Sequence, residues 1–321
     1  MRRAYPYRVG QTTRVARRRR IVTETLRARP VRLALLCCAI FPACGPAQAP
    51  HHASDDGESG AAGEQRFSIC GAWNEGARVD LEIEGSQIAA LGPAGSSSGC
   101  GAASAVDARD QWVVPSFIDS HVHLAFYPVA DELARSGIVA TVDLALPLED
   151  IASAAEAPVR QLVAGPMLTA TGGYPTQSWG ANGYGLEVNS AEAGSAAVEQ
   201  LVEAGARIIK LPFTGTAQLD DAVISAIVDA ARAHGLPVVG HAMDDASAAR
   251  ARELGVDVLA HTPTSPLSPA TIEAWADGTV ITTLAAFGDD PDARANLMAL
   301  RAAGTRVLYG TDLGNSRELK M

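Results

Sequence analysis

The stretch FIDSHVHL, residues 117–124, sets two histidines one residue apart at the end of an apolar run. Side chains on a strand alternate with period two, so His121 and His123 leave the same face of the chain. Two imidazoles aimed at one point are suited to gripping a divalent metal. A hydrogen-bonded pair of core histidines fits the same eight residues, and the stretch alone does not choose between the two.

The elements that must position these side chains come next. Eight apolar β-like runs follow one another: VVPSFIDSHVH, IVATVDLA, LVAGPMLTA, ARIIKLPF, PVVGHA, VDVLAHT, TVITTL and TRVLYGTD. Between them lie helical patterns such as SAEAGSAAVEQLVEAG, LDDAVISAIVDAARAHG and DPDARANLMALRAAG, several closed by Gly, a common helix stop. This alternation predicts an α/β chain built as a (β/α)8 TIM barrel over residues 111–321 rather than an open doubly wound sheet. Chemistry in such a barrel gathers at the strand C-termini. His121 and His123 end the first run, Lys210 lies in the fourth, His241 and His261 end the fifth and sixth, and Asp312 ends the eighth. Four of the seven histidines therefore fall at one mouth. His234, in ARAHG, reads as an ordinary helix-end residue. Asp119 shares the parity of the paired histidines but lies deeper, which suits a structural role.

Residues 171–190, TGGYPTQSWGANGYGLEVNS, form a long connection after the third run. Loops at that end of a barrel shape substrate pockets. Tyr174, Gln177 and Trp179 are its candidates for substrate contact, with loop packing the competing role. Upstream, VDLEIEGSQIAALG predicts a β-hairpin turning at Gly-Ser, within a small β-domain over residues 67–110.

The chain has 321 residues, 47% of them hydrophobic and 19% charged, which describes a globular protein with a sizeable core. Eleven of its 26 basic residues and one of its 36 acids lie in residues 1–32, leaving 15 basic against 35 acidic residues beyond. So acidic a body repels phosphate backbones and excludes nucleic acid as a partner. The basic start is followed by LALLCCAIF, too short to span a bilayer permanently, and then by small residues. That order predicts an export signal over residues 1–44. FPACG resembles, imperfectly, a bacterial lipoprotein signal, so Cys44 is the expected lipidation site; AQA, residues 47–49, offers simple cleavage instead. Residues 45–66 read as a solvated tether. The expected location is the periplasm or an outer-membrane lipoprotein, with the membrane met only through the lipid. Cys70 and Cys100 remain after processing, free either to bridge in an oxidising compartment or to stay as separate thiols.

The motifs VVPSFIDSHVH, IIKL, VVGHA, LAHT and YGTDLG, in that order, resemble the amidohydrolase superfamily, in its imidazolonepropionase-like and prolidase-like branch. Ser116 departs from the Gly usual there. The resemblance implies that His121, His123 and Asp312 hold one divalent metal and that His241 and His261 hold a second. It implies Lys210 as an N-carboxylated bridge, with an unmodified lysine in a one-metal site as the alternative. Two zinc ions fit so many histidines, with cobalt, manganese or iron as substitutes. The implied reaction is hydrolysis of an amide-type C–N bond, in a dipeptide or a cyclic amide, by metal-activated hydroxide, with Asp312 carrying the proton to the leaving amine. A deaminase or an esterase would use the same metals. The family continues past the eighth strand with a helix and closing β-strands, whereas this sequence ends nine residues after Asp312. The expectation is therefore a barrel lacking its eighth helix, and the alternative function is that of an inactive remnant acting as a binding protein. A homo-oligomer is compatible with either.

Overall fold

The computed structural model describes residues 66–315. The expected leader with Cys44, nearly all of the tether, and residues 316–321 lie outside them. Residue 66, assigned to the tether from sequence, instead opens the first strand. Among the described residues no helix is long and apolar enough to cross a membrane.

Strands β1 (Arg66–Asn74), β2 (Ala77–Glu84), β3 (Gln87–Pro93) and β4 (Val106–Asp107) form one sheet in the order β3-β2-β1-β4. The β2–β3 hairpin pairs Glu84 with Gln87 across the Gly-Ser turn, where Gly85 has a φ of 57°. Hydrogen bonding of this sheet runs on to Val113, whose N–H donates to the Trp73 carbonyl at 2.9 Å, past the boundary read at residue 110. A disulfide joins Cys70 in β1 to Cys100.

Ten further strands follow: β5 (Phe117–Val122), β6 (Ile138–Asp143), β7 (Arg160–Val163), β8 (Met167–Thr169), β9 (Gly185–Glu187), β10 (Ile209–Pro212), β11 (Val238–His241), β12 (Val258–Leu259), β13 (Thr279–Ile281) and β14 (Arg306–Leu308). Between them lie helices α1 (Ala130–Arg135), α2 (Ala191–Ala204), α3 (Asp221–Ala233), α4 (Asp245–Glu253), α5 (Pro269–Ala274) and α6 (Pro291–Ala303). α2, α3 and α6 occupy the three helical patterns named from the sequence. The helix ends follow local chemistry. Ser190, Asp244, Ser268 and Asp290 accept first-turn N–H groups, and Gly205 and Gly304 close α2 and α6 in the left-handed region.

β5-β6-β7 form a three-stranded parallel sheet and β10 to β14 a five-stranded one. The Arg207 N–H donates to the Val163 carbonyl, linking the two sheets on one side. On the other, the Ser120 N–H donates to the Tyr309 carbonyl and the Asp312 N–H to that of His121. The third run of the sequence is one strand in prospect and two in fact. Gly165, at a φ of 72°, and Pro166 break it into β7 and β8, because proline brings no N–H to a ladder. β8 then pairs with β9, a short strand inside the long connection.

Period two divides β10 and the residue just before it between two apolar clusters. Ile209 and Leu211 join the helix-side core of Leu201, Ile224, Ile227 and Trp275, while Ile208 joins Leu144, Val239, Ala260 and Ile281. Each fully buried aliphatic side chain contributes on the order of 1.5–3 kcal/mol. Lys210 and His241 stand one same-face step beyond Ile208 and Val239, so the polar site rests on an apolar floor.

Candidate metal centre

The six predicted ligands line one cavity of about 340 Å³. His121, His123, Lys210, His261 and Asp312 are buried, and His241 is nearly so. Nε2 of His121 and Nε2 of His123 approach the Asp312 Oδ1 to 3.3 and 3.1 Å. Neither approach makes a hydrogen bond, and one possible ligand atom from each residue lies within 4.8 Å of the others. The His121 ring centroid is 4.6 Å from that of His261, which is 4.7 Å from that of His241.

Four of the buried polar side-chain atoms that lack a hydrogen-bond partner belong to this wall: His121 Nε2, His123 Nδ1, Lys210 Nζ and Asp312 Oδ1. Leaving such atoms unpaired costs about 1–3 kcal/mol each, more if charged, so their clustering calls for an ion or ligand. Nitrogen and carboxylate donors in this arrangement fit a divalent metal such as zinc.

Neighbouring residues orient these side chains. Nδ1 of His121 lies 2.8 Å from the Ala260 carbonyl, an acceptor only, so Nδ1 carries the proton and Nε2 keeps its lone pair for a cation. Nδ1 of His261 lies 3.1 Å from the Thr283 hydroxyl. The Asn315 amide donates to Asp312 Oδ2 at 2.9 Å, and Asp312 sits at a φ of 56°, a left-handed conformation uncommon outside glycine. Gly314, at a φ of 115°, passes so near His123 that an added Cβ would lie 2.8 Å from the histidine's Cβ.

Burial lowers the pKa of His121 and His261 well below the ordinary imidazole value and that of His241 to about 3. It lowers Lys210 to about 7. All four are thus set toward the neutral form that binds a metal or, for the lysine, reacts as an amine. Burial works to raise the Asp312 carboxyl, but His121, His123 and His261 together outweigh it and hold it well below the usual range.

Tyr174 and Trp179 also line the cavity, and Tyr174 stacks on His241 with centroids 5.1 Å apart. Gln177 does not: its side chain is exposed and its amide reaches only the neighbouring Thr176 hydroxyl at 3.5 Å. Phe126, Met167, Phe287 and Asn315 complete the wall without having been marked in the sequence. Asp143 was also passed over. It is wholly buried, lies 3.9 Å from His123 Nδ1, and accepts the N–H groups of Leu124, Ala125 and Ala145. Burial lifts its pKa to about 6. Its position at the end of IVATVDLA, matching that of the histidines in the first run, was the available signal. His234 is paired with Glu199 at 2.8 Å, bracing α3 against α2 away from the cavity.

Solved structures share this fold at low sequence identity. One is a Xaa-Pro dipeptidase with bound methionine, 21% identical, with a TM-score of 0.64 over 78% of this chain and 80% of that one. A putative prolidase from Bifidobacterium longum is 20% identical, with a TM-score of 0.62 over 78% and 74%. The ochratoxinase of A. niger is 18% identical, with a TM-score of 0.58 over 78% and 76%. No curated protein matches the sequence. The profile of the Amidohydrolase family matches residues 112–321, and the chain belongs to that family.

Proposed function

We propose that this protein is a metal-dependent hydrolase of amide-type C–N bonds. The reading takes the two parallel sheets as one (β/α)8 barrel carrying the site at its C-terminal mouth. The observation that carries it is the set of buried, unpartnered donor atoms of His121, Lys210 and Asp312 around one cavity.

His121, His123 and Asp312 would hold one divalent metal, His241 and His261 a second, and Lys210 would join them as a carbamate. Metals so held supply Lewis acidity, lowering the pKa of water toward ~7 and polarising a carbonyl. The protein's own part is proton movement and positioning. The Asp312 carboxylate takes a proton from the attacking water and delivers it to the leaving nitrogen. The carbonyl of Ala260 fixes the His121 tautomer, and the near-neutral Lys210 amine is ready to combine with carbon dioxide. Tyr174 and Trp179 contact the substrate. The same proposal extends to an exported, lipid-anchored protein, from the basic leader and Cys44.

The test is hydrolysis of a panel of dipeptides and cyclic amides by zinc-loaded protein, with and without chelator, alongside metal analysis. About two metals per chain and chelator-sensitive turnover are expected. Full activity after complete metal removal would refute the mechanism.

A further inference from the structure

The cavity carries a second set of residues that metal chemistry does not use. Trp179 packs against three aromatic rings, Phe126 at 6.3 Å, Tyr174 at 6.1 Å and Tyr184 at 5.8 Å, and against His123 at 5.5 Å. Phe126 meets Tyr184 edge to face at 6.0 Å. The indole N–H, the one polar atom of Trp179, is already donated to the Tyr174 hydroxyl at 2.9 Å. Trp179 therefore offers a ligand only π-surface. Phe126 lines the cavity yet remains 42% exposed, an apolar ring held at the entrance. Across the cavity Phe287 packs edge-on against His261 at 5.0 Å.

The charges of the wall point the same way. Among the described residues, its one cationic side-chain type is Lys210, fully buried and facing the ligand cluster. A dipeptide with a free C-terminal carboxylate calls for a charge-assisted partner. Asn315, the wall's amide, is already engaged with Asp312.

Resting on the hydrolase reading above, we infer that the substrate is an uncharged amide whose one side is an aromatic ring, seated on the shelf of Phe126 and Trp179. Rings in such a setting gain offset or edge-to-face contacts beyond simple area burial. A carboxylate on that ring would be desolvated beside π-faces with no cation but the buried Lys210 among the described wall residues to pair it.

The probes are acetanilide, its ring-carboxylated counterpart 4-acetamidobenzoate, and N-cyclohexylacetamide, titrated calorimetrically into the zinc-loaded full chain with hydrolysis followed in parallel. Acetanilide is expected to bind about tenfold tighter than either of the others. Phe126→Ala, at a half-exposed position, is expected to cost about tenfold for acetanilide and little for the cyclohexyl amide. Phe126→Leu, which keeps apolar bulk, should lose the same aryl preference. Equal or tighter binding of 4-acetamidobenzoate, or unchanged acetanilide affinity in both variants, would overturn the inference. Tight aryl binding with no turnover in any metal form would sink the hydrolase reading and leave this one standing. Preferential cleavage of the carboxylated probe would do the reverse.

Discussion

Asp119 and Thr311, 192 residues apart in sequence, are joined twice. Oδ1 of Asp119 accepts the Thr311 N–H at 3.0 Å, and Oδ2 accepts its hydroxyl at 2.6 Å. The same carboxylate accepts the His121 N–H at 3.2 Å. One buried side chain thus fixes the first histidine and the turn that presents Asp312. Thr311→Val removes the hydroxyl while keeping shape and leaves a carboxylate oxygen short of a donor. Its expected cost is about 1.5–3 kcal/mol in urea unfolding. Zinc affinity should fall as well, because His121 and Asp312 lose their common brace; unchanged affinity would show that the brace serves folding alone.

The two halves of the ligand set should separate under mutation. His121, His123 and Asp312 cluster tightly, whereas Asp312 reaches His261 only at 3.9 Å and has no close approach to His241. His241→Ala is expected to lower zinc content from about two to about one per chain. Asp312→Ala should remove both the tighter ion and activity, since the proposed function gives this one residue the roles of ligand and proton carrier together. Metal analysis after dialysis reads both outcomes; two retained zinc ions in His241→Ala would exclude that residue as a ligand.

Much of this site was legible because its residues interrupt apolar runs where packing alone would favour Val or Ile. His121, His241, His261 and Asp312 each end a β-like run, and Lys210 sits within one. The helices were legible from helical patterns, several of them closed by glycine. Asp143 was not, since a lone acid at a strand end resembles any turn residue until the N–H groups of residues 124, 125 and 145 are seen around it. Phe126 lies in a turn and Phe287 ends a short 3-10 helix, and both gain meaning only from rings distant in sequence. Gln177, polar and close to Tyr174, looked like a pocket residue, but its loop turns it to solvent.

The buried lysine gives a pH prediction for the metal-free chain. Burial lowers Lys210 from 10.5 to about 7, so between these values the unfolded chain binds a proton that the folded chain does not. Stability therefore rises with pH from about 7 to 10.5, and the contribution is absent below about pH 7. Its span is on the order of a few kcal/mol. Lys210→Met, which cannot titrate, should lose this slope: its stability advantage over the parent should be largest near pH 7 and shrink toward pH 10 in urea unfolding. Parallel profiles for the two chains would mean that the amine is not desolvated.

Reduced covalent constraint should be felt in the small sheet. The Cys70–Cys100 bridge closes a segment with a sequence separation of 30 that contains β2 and β3. Replacing both cysteines by serine is expected to cost about 2–4 kcal/mol through the freer unfolded chain. The proposed metal ligands all lie beyond residue 120, so zinc content of the folded variant should stay unchanged, and a loss of zinc would reveal coupling between the sheet and the cavity.

Gly314 offers a sharper probe of the cavity than any ligand deletion, because it touches the site without donating to it. Its φ of 115° lies where other residues are strained, and a Cβ would press to 2.8 Å on that of His123 and 3.2 Å on that residue's carbonyl oxygen. Neither neighbour can move freely, since the His123 N–H is donated to the Leu313 carbonyl at 2.8 Å. Gly314→Ala should therefore destabilise the fold by more than the ~1 kcal/mol of backbone strain alone and displace His123 from its partners. The expected readout is zinc affinity weakened at least tenfold at a temperature where circular dichroism shows the variant still folded. Parent-like zinc affinity in a folded Gly314→Ala chain would mean that His123 tolerates displacement and is not held to the ion by this turn.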